Sequence, residues 1–344
     1  MKALDLLKMP LHLLALAGKA KSFVGNPLIG SPWLNQHGLH RQRIALADRA
    51  AWARRRRLGR VLSADEREAY ARDGFVIKRD FLPAELFARL RDEAAAHVSE
   101  AREMRQGRAV TRRVTLDPAD AAQLPGCVAA ANDPRLDRLM RYVAAHDAMP
   151  LMYLQIIVVD PGRGEQDPQT VLHRDTFHSI AKSWLFLHDV GEDDGPFMYA
   201  PGSHRLSERL RAWEHAQSLS AATAANVYHA RGSFRMPPED LEGLGLGPAI
   251  KVVVPANTLV VADTHGFHAR SVSPQRTVRM EIYGTLRGNP YGLGFGVDPL
   301  SWPGIRSRRA DLLDQAADLA ARYGLIGASW PKVSARRMDS PEVD

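Results

Sequence analysis

Six short runs in the second half of the chain, at 151–159, 183–187, 197–199, 249–254, 258–261 and 278–286, are built from β-branched and aromatic residues. Gly, Pro and Asp turns separate them. Runs of that length and content predict strands, and their close succession predicts a β sandwich or barrel rather than alternating βαβ units. Helical signals flank this block. Ser63 followed by Glu66 forms a capping box, and the helix it opens stops at Gly74. Phe75, Val76 and Ile77 read as a short strand, and Pro83 opens a helix with Leu86, Leu90 and Ala94 at helical spacing. Further helices are predicted near 134–147 and over 308–322. Residues 102–133 read as polar and irregular, and the closing RRMDSPEVD as a frayed end.

The first sixty residues have a different texture. MKALDLLKMPLHLLALA is apolar on more than one helical face and is interrupted by Pro10. Ala15-Leu16-Ala17 mimics a signal cleavage site, but Asp5 and His12 do not suit a signal peptide. The stretch reads as one that packs on the body or lies in a membrane surface. Residues 24–40 read as a loop, and 41–60 as an Arg-rich helix whose Arg54–Arg57 run is either a solvated face or an attraction for anionic headgroups or substrate.

Charge sharpens this division. The chain carries +7 overall, yet residues 1–60 hold twelve Lys/Arg against two acids, so the remainder is net acidic. A basic body that tracks nucleic acid is excluded, and no nucleic-acid partner is expected. The single cysteine, Cys127, rules out an internal disulfide and any Cys-rich zinc or iron–sulfur site. It suits a reducing compartment, hence a cytoplasmic location, with peripheral membrane contact through residues 1–60.

The candidate chemistry lies in the β block. His173-Arg174-Asp175 places an imidazole and a carboxylate at i and i+2, on one side of an extended segment. About a hundred residues later, Asp263-Thr264-His265-Gly266-Phe267-His268 brings two more histidines at a strand end. One of them would complete a 2-His-1-carboxylate face, which suits Fe(II) with open positions, although a zinc hydrolase uses similar ligands. Arg279 follows His268 by eleven residues and could grip a carboxylate with its fork; Arg276 is the rival arginine. A dicarboxylate co-substrate such as 2-oxoglutarate needs such a group.

These motifs, with Gly195–Arg205 (GPFMYAPGSHR) and Asp73–Pro83 (DGFVIKRDFLP), resemble the phytanoyl-CoA dioxygenase family over about residues 65–290. The resemblance implies a mainly β core with flanking helices, a double-stranded β-helix or jelly roll, with Fe(II), 2-oxoglutarate and O₂. It implies His173, Asp175 and His268 as iron ligands and Arg279 as the anchor of the far carboxylate. Trp184 and Gln155 are implied to line the co-substrate pocket. Arg174 departs from the family pattern and would set a charge beside the metal or toward an anionic substrate. Asp175 leaves no vacated position for a halide, which favours hydroxylation over halogenation.

The expected organisation is a basic, partly apolar extension over 1–60, a dioxygenase domain over 61–307, and a C-terminal helix and tail over 308–344. The expected activity is hydroxylation of an aliphatic C–H in a lipid-like or small-metabolite substrate. The alternatives are a non-catalytic jelly roll that binds a partner or membrane surface, and a metal-dependent hydrolase. His204 and Asp263 read as structural groups, His178 as a candidate for the substrate mouth, and His265 as alternating away from His268.

Overall fold

Residues 151–159 are apolar at nearly every position because both faces of their strand are covered. The computed structural model describes residues 8–292, 298–338 and 340; the leading residues 1–7 of the apolar N-terminal stretch lie outside them. Helices α1 (Met9–Leu16), α2 (Pro32–Gln36), α3 (Leu39–Leu58) and α4 (Ala64–Asp73) precede strand β1 (Phe75–Lys78) and helix α5 (Ala84–Ala96). A hairpin of β2 (Val98–Gln106) and β3 (Ala109–Thr115) then leads to α6 (Pro125–Ala131) and α7 (Pro134–Ala144). The β block follows: β4 (Leu151–Val159), β5 (Ala181–Phe186), β6 (Phe197–Tyr199), helices α8 (Glu208–Ser220) and α9 (Val227–Ala230), then β7 (Ile250–Lys251), β8 (Thr258–Asp263), β9 (His268–Arg270) and β10 (Thr277–Leu286). Helices α10 (Pro303–Arg306) and α11 (Arg309–Arg322) and strand β11 (Lys332–Arg337) close the described chain.

The strands form an antiparallel sheet in the order β1-β8-β5-β10-β4-β3-β2-β11 and a smaller sheet in the order β7-β6-β9. Along the chain β4 and β5 belong to the large sheet, β6 and β7 to the small one, and β8, β9 and β10 to the large, small and large sheets in turn, so the chain crosses repeatedly between the two as in a jelly roll. The two sheets face each other without closing into one barrel. Alternation sorts the side chains. Leu154, Ile156, Leu185, Val261, Met280 and Ile282 point outward onto α5, α6 and α7, where Leu90, Ala94, Leu136 and Leu139 meet them. Trp184, Phe186, Val260 and Ala262 point inward, against Phe197 and Tyr199 of the smaller sheet. Truncating one of these fully buried leucines to Ala costs about 2–5 kcal/mol.

Two expectations need correction. Residues 102–133 contain β2, β3 and α6 rather than irregular chain, and the closing segment is not frayed throughout, since β11 pairs with β2 and Met338 is fully buried. The charges that disguised these strands are consumed in ion pairs: Arg112 with Glu103 (2.7 Å), Arg113 with Asp314 (2.8 Å) and Arg102 with Asp318 (2.5 Å). The strand expected at 249–254 shrinks to two residues, and α2 interrupts the loop expected at 24–40, capped by the Ser31 hydroxyl.

Helix α3 packs on α7 and α8 through Ile44, Ala47 and Ala51. Helix α1 leaves Leu11, Leu13 and Leu14 exposed. Among the described residues no helix is long and apolar enough to cross a membrane.

Candidate metal centre and its cavity

His173, Arg174 and Asp175 lie between β4 and β5, in an extended segment that adds to the smaller sheet beside β9. His173 and His268 exchange both main-chain hydrogen bonds (2.9 and 3.0 Å), the closely spaced pair of an antiparallel ladder. Their rings therefore stand together, with centroids 4.3 Å apart. The Asp175 N–H donates to the Thr264 carbonyl (3.0 Å), which fixes its carboxylate on the same side. The turn between β8 and β9 needs Gly266, because a Cβ there would sit 1.9 Å from the Tyr199 hydroxyl.

The ligand-capable atoms of His173, Asp175 and His268 lie within 4.8 Å of one another, the one such group among the described residues. His173 Nε2 is 3.8 Å and His268 Nε2 3.7 Å from the Asp175 carboxylate. Nδ1 of His173 donates to the Val171 carbonyl (2.8 Å), and Nδ1 of His268 to the Gly266 carbonyl (2.9 Å). A carbonyl only accepts, so each Nδ1 carries the proton and each Nε2 keeps its lone pair. Nε2 of His173 is buried without a hydrogen-bond partner.

The protonation states agree with that. Burial pushes His173 well below the ordinary histidine range, reinforced by His268. Burial lowers His268 to about 4, against the pull of Asp175. For Asp175, burial favours the neutral acid, but the Lys182 ammonium beside it opposes that and the carboxyl is held well below its usual value. Two neutral imidazoles and one carboxylate, aimed at one point and short of donors, fit a divalent transition metal.

A cavity of about 260 Å³ opens at this triad. It follows the inward face of β10, where Arg279, Tyr283 and Thr285 line it at alternate positions while Met280, Ile282 and Leu286 face the other way. Arg279 is buried in its wall. Its Nε donates to Glu281 (2.9 Å) and its Nη1 to the Gly195 carbonyl (2.5 Å). Gln155, opposite Glu281 on β4, donates to the same carboxylate (2.7 Å). Trp184 lines the cavity against Phe197, ring centroids 4.6 Å apart. All six residues singled out in the sequence therefore border one cavity. Arg276 is exposed and lies outside its lining.

Other positions depart from the sequence reading. Arg174 is not beside the metal face. Strand alternation turns it into a sealed interior, where it stacks over Phe267 (5.3 Å), faces Glu214 (3.4 Å) and contacts His265. His265 accordingly lies on that side, away from the triad. His178 is buried, donates to the Ser179 carbonyl (3.0 Å) and does not line the cavity. His204 packs on Tyr70. The Asp263 carboxylate accepts from Arg55 (3.1 Å), Tyr70 (2.9 Å), and the Ile180 and His265 N–H groups (3.1 Å each). The Arg54–Arg57 run is therefore not a simple solvated face: Arg55 is 4% exposed, and Arg54 donates to the Ala145 and Pro290 carbonyls. The Cys127 thiol is buried, and that burial raises its pKa.

Sequence reasoning missed Lys182, whose Nζ lies 2.6 Å from Asp175 Oδ2. It also missed Arg270, which lines the cavity and pairs with Asp167 (2.8 Å). The available signal was alternation: Lys182 precedes Trp184 by two residues on one strand, and Arg270 follows His268 by two.

Comparison with known proteins adds a family match over about half of the chain. The family model described as phytanoyl-CoA dioxygenase (PhyH) matches residues 70–240. No curated protein matches. Similar solved structures include the epimerase SnoN in complex with Fe3+, alpha ketoglutarate and nogalamycin RO, at 21% identity over 68% of this chain and 91% of that one, with a TM-score of 0.43. EctD from S. alaskensis with bound Fe is 17% identical over 72% of this chain and 84% of that one, TM-score 0.41. HygX from Streptomyces hygroscopicus with nickel, 2-oxoglutarate and hygromycin B is 16% identical over 65% and 86%, TM-score 0.36.

Proposed function

Over residues 70–240 the chain belongs to the phytanoyl-CoA dioxygenase family, and from that premise we propose that it is a non-haem Fe(II)- and 2-oxoglutarate-dependent dioxygenase that hydroxylates an aliphatic C–H of a small-molecule or lipid-like substrate. The observation that carries this reading is the shared cavity: two neutral imidazoles and an ionised carboxylate at one point of its wall, and a braced arginine fork at another. His173, Asp175 and His268 would hold the iron, and the three ligands on one face leave room for a co-substrate and O₂. Arg279 would grip the far carboxylate of 2-oxoglutarate. Glu281 and Gln155 hold that fork in position, so little rotamer freedom is lost on binding. Trp184 and Phe197 give the pocket an apolar wall that excludes water. When bound, the metal and co-substrate supply the oxidising equivalents, drawn from O₂ with decarboxylation of 2-oxoglutarate to succinate.

The test is iron-dependent conversion of 2-oxoglutarate to succinate by the purified chain, stimulated by one member of a panel of acyl conjugates, lipids and small metabolites. Turnover of an ester or amide with zinc, needing neither O₂ nor 2-oxoglutarate, would overturn the reading in favour of a hydrolase. Attachment of residues 1–60 to an anionic membrane surface rests on exposed cations such as Arg56 and Arg57. Co-sedimentation with anionic phospholipid vesicles at low salt tests it.

A further inference from the structure

Arg174 stands between two metal ligands in the chain, yet its guanidinium lies behind them and does not line the cavity. It meets both ligand-bearing segments. Its own backbone carries His173 on one side and Asp175 on the other. Its side chain contacts His265 Nε2 and lies over the Phe267 ring (5.3 Å), in the turn that delivers His268. From the far side the Glu214 carboxylate of α8 faces it at 3.4 Å. Glu214 in turn accepts a hydrogen bond from His40 Nε2 of α3 (2.7 Å). His40, Arg174, Glu214 and His265 are all buried. The N-terminal segment makes one further tie to the same stretch, from Lys21 Nζ to the Asp175 carbonyl oxygen (2.5 Å).

A buried ion pair is a poor source of stability, because desolvation of the two charges offsets their attraction. What such a pair can fix is geometry. The guanidinium is planar and presents its donors in a rigid fork. Main-chain hydrogen bonds set the register of the 173–175 and 264–268 segments. A side chain packed against both also holds their separation. Metal ligation tolerates errors of only about 0.2 Å in ligand distance, so that separation decides whether three ligands reach one ion.

We propose that Arg174 is a positioning residue of the metal centre: it clamps the two ligand-bearing segments from behind, and the Glu214–His40 pair anchors the clamp to α8 and α3. This rests on the metal-centre part of the dioxygenase reading and adds to it the residues that set the ligand geometry. His40 lies outside the residues matched by the family model. Helix α3 is thereby part of the construction of the centre.

The test sets metal affinity against stability in the full chain. Mn(II) is titrated with the free ion read by electron paramagnetic resonance, and urea midpoints are measured without metal. Arg174→Met combined with Glu214→Leu removes both charges, so neither is left buried alone. That double variant should keep a urea midpoint near the wild-type one and weaken Mn(II) binding by about tenfold or more. Leu139→Ala, in the outward-facing core, should do the reverse: a lower midpoint, with Mn(II) affinity kept within about twofold. His40→Leu, one contact further from the ligands, should weaken binding about threefold, and His40→Gln, which can donate to Glu214, should recover it. Wild-type Mn(II) affinity in the folded double variant overturns the proposal. If the double variant does not fold, wild-type affinity in His40→Leu overturns it. Affinity that simply follows the urea midpoint across all the variants also overturns it, because Arg174 would then act on the fold alone. The wild-type titration separates the two levels: a wild-type chain that binds no Mn(II) fails the metal-centre reading itself.

Discussion

Two aspartates anchor this molecule, and they are built in opposite ways. Asp263, at the end of β8, is fully buried and takes hydrogen bonds from Arg55, Tyr70 and two main-chain N–H groups. Asp175 is half-buried and faces two imidazole nitrogens that have no proton to give, with Lys182 as its ion-pair partner. A carboxylate saturated by donors is finished; it ties α3, α4 and β8 together. A carboxylate set against lone pairs is incomplete, and a cation completes it. Burial alone therefore does not tell a structural charge from a functional one. The count of donors around it does.

The largest effect should come from breaking the saturated hub. Asp263→Ala strands the Arg55 guanidinium without its counter-ion in the interior, at a cost of about 3–5 kcal/mol. Asp175→Ala should cost less than that, because the Lys182 it leaves unpaired is partly exposed and can turn toward solvent. Urea unfolding of both variants, with equal m-values, measures the contrast. Equal destabilisation would erase the distinction drawn between them.

Metal binding reverses the order. Asp175→Ala removes one of three ligands and its charge, and Fe(II) or Mn(II) affinity should fall at least ~100-fold, about 2.7 kcal/mol. Unaltered metal affinity would remove Asp175 from the ligand set.

Arg279 offers a smaller and more selective break. Arg279→Gln should raise the KM for 2-oxoglutarate about thirtyfold, ~2 kcal/mol for a charge-assisted carboxylate contact, with little change in metal affinity. Arg279→Lys should recover part of it, since an ammonium lacks the fork. Arg276→Gln should be nearly silent. A large effect at Arg276 instead would assign the carboxylate to the exposed loop before β10.

The same contrast explains what the sequence made legible. Strands β4, β8 and β10 could be read because their apolar residues are continuous or alternate, and the cavity residues His173, Asp175, His268 and Arg279 could be found because a family resemblance tied their spacing together. Strands β2, β3 and β11 could not, because Arg102, Arg112 and Glu103 look like surface residues until their partners on α11 and neighbouring strands are known. Arg55 and Arg174 misled for the same reason: a buried arginine has no signature in its own sequence, only in the distant Asp263 and Glu214 that meet it. Lys21 was hidden by distance, 154 residues from the aspartate whose carbonyl it reaches.

A pH dependence that belongs to the sealed side sharpens the contrast without any change at the triad. Burial lowers His178 and His204 each to about 3, and nearby arginines add to the shift. In the unfolded chain both imidazoles titrate near 6.5. Above pH 6.5 they are neutral in both states and contribute no slope. As pH falls below 6.5 the unfolded chain binds protons that the folded chain refuses, so stability drops. By pH 5 the loss is about 2 kcal/mol per imidazole, before most carboxylates begin to titrate. Urea midpoints between pH 7 and 5 should decline accordingly in the presence of saturating Mn(II), which holds His173 and His268 out of the titration. His204→Gln should remove about half of the decline that His178 and His204 contribute together, whatever it does to stability at pH 7. A profile that stays flat to pH 5 would mean that these rings reach water or a counter-ion, and that the sealed side is as open as the cavity it backs.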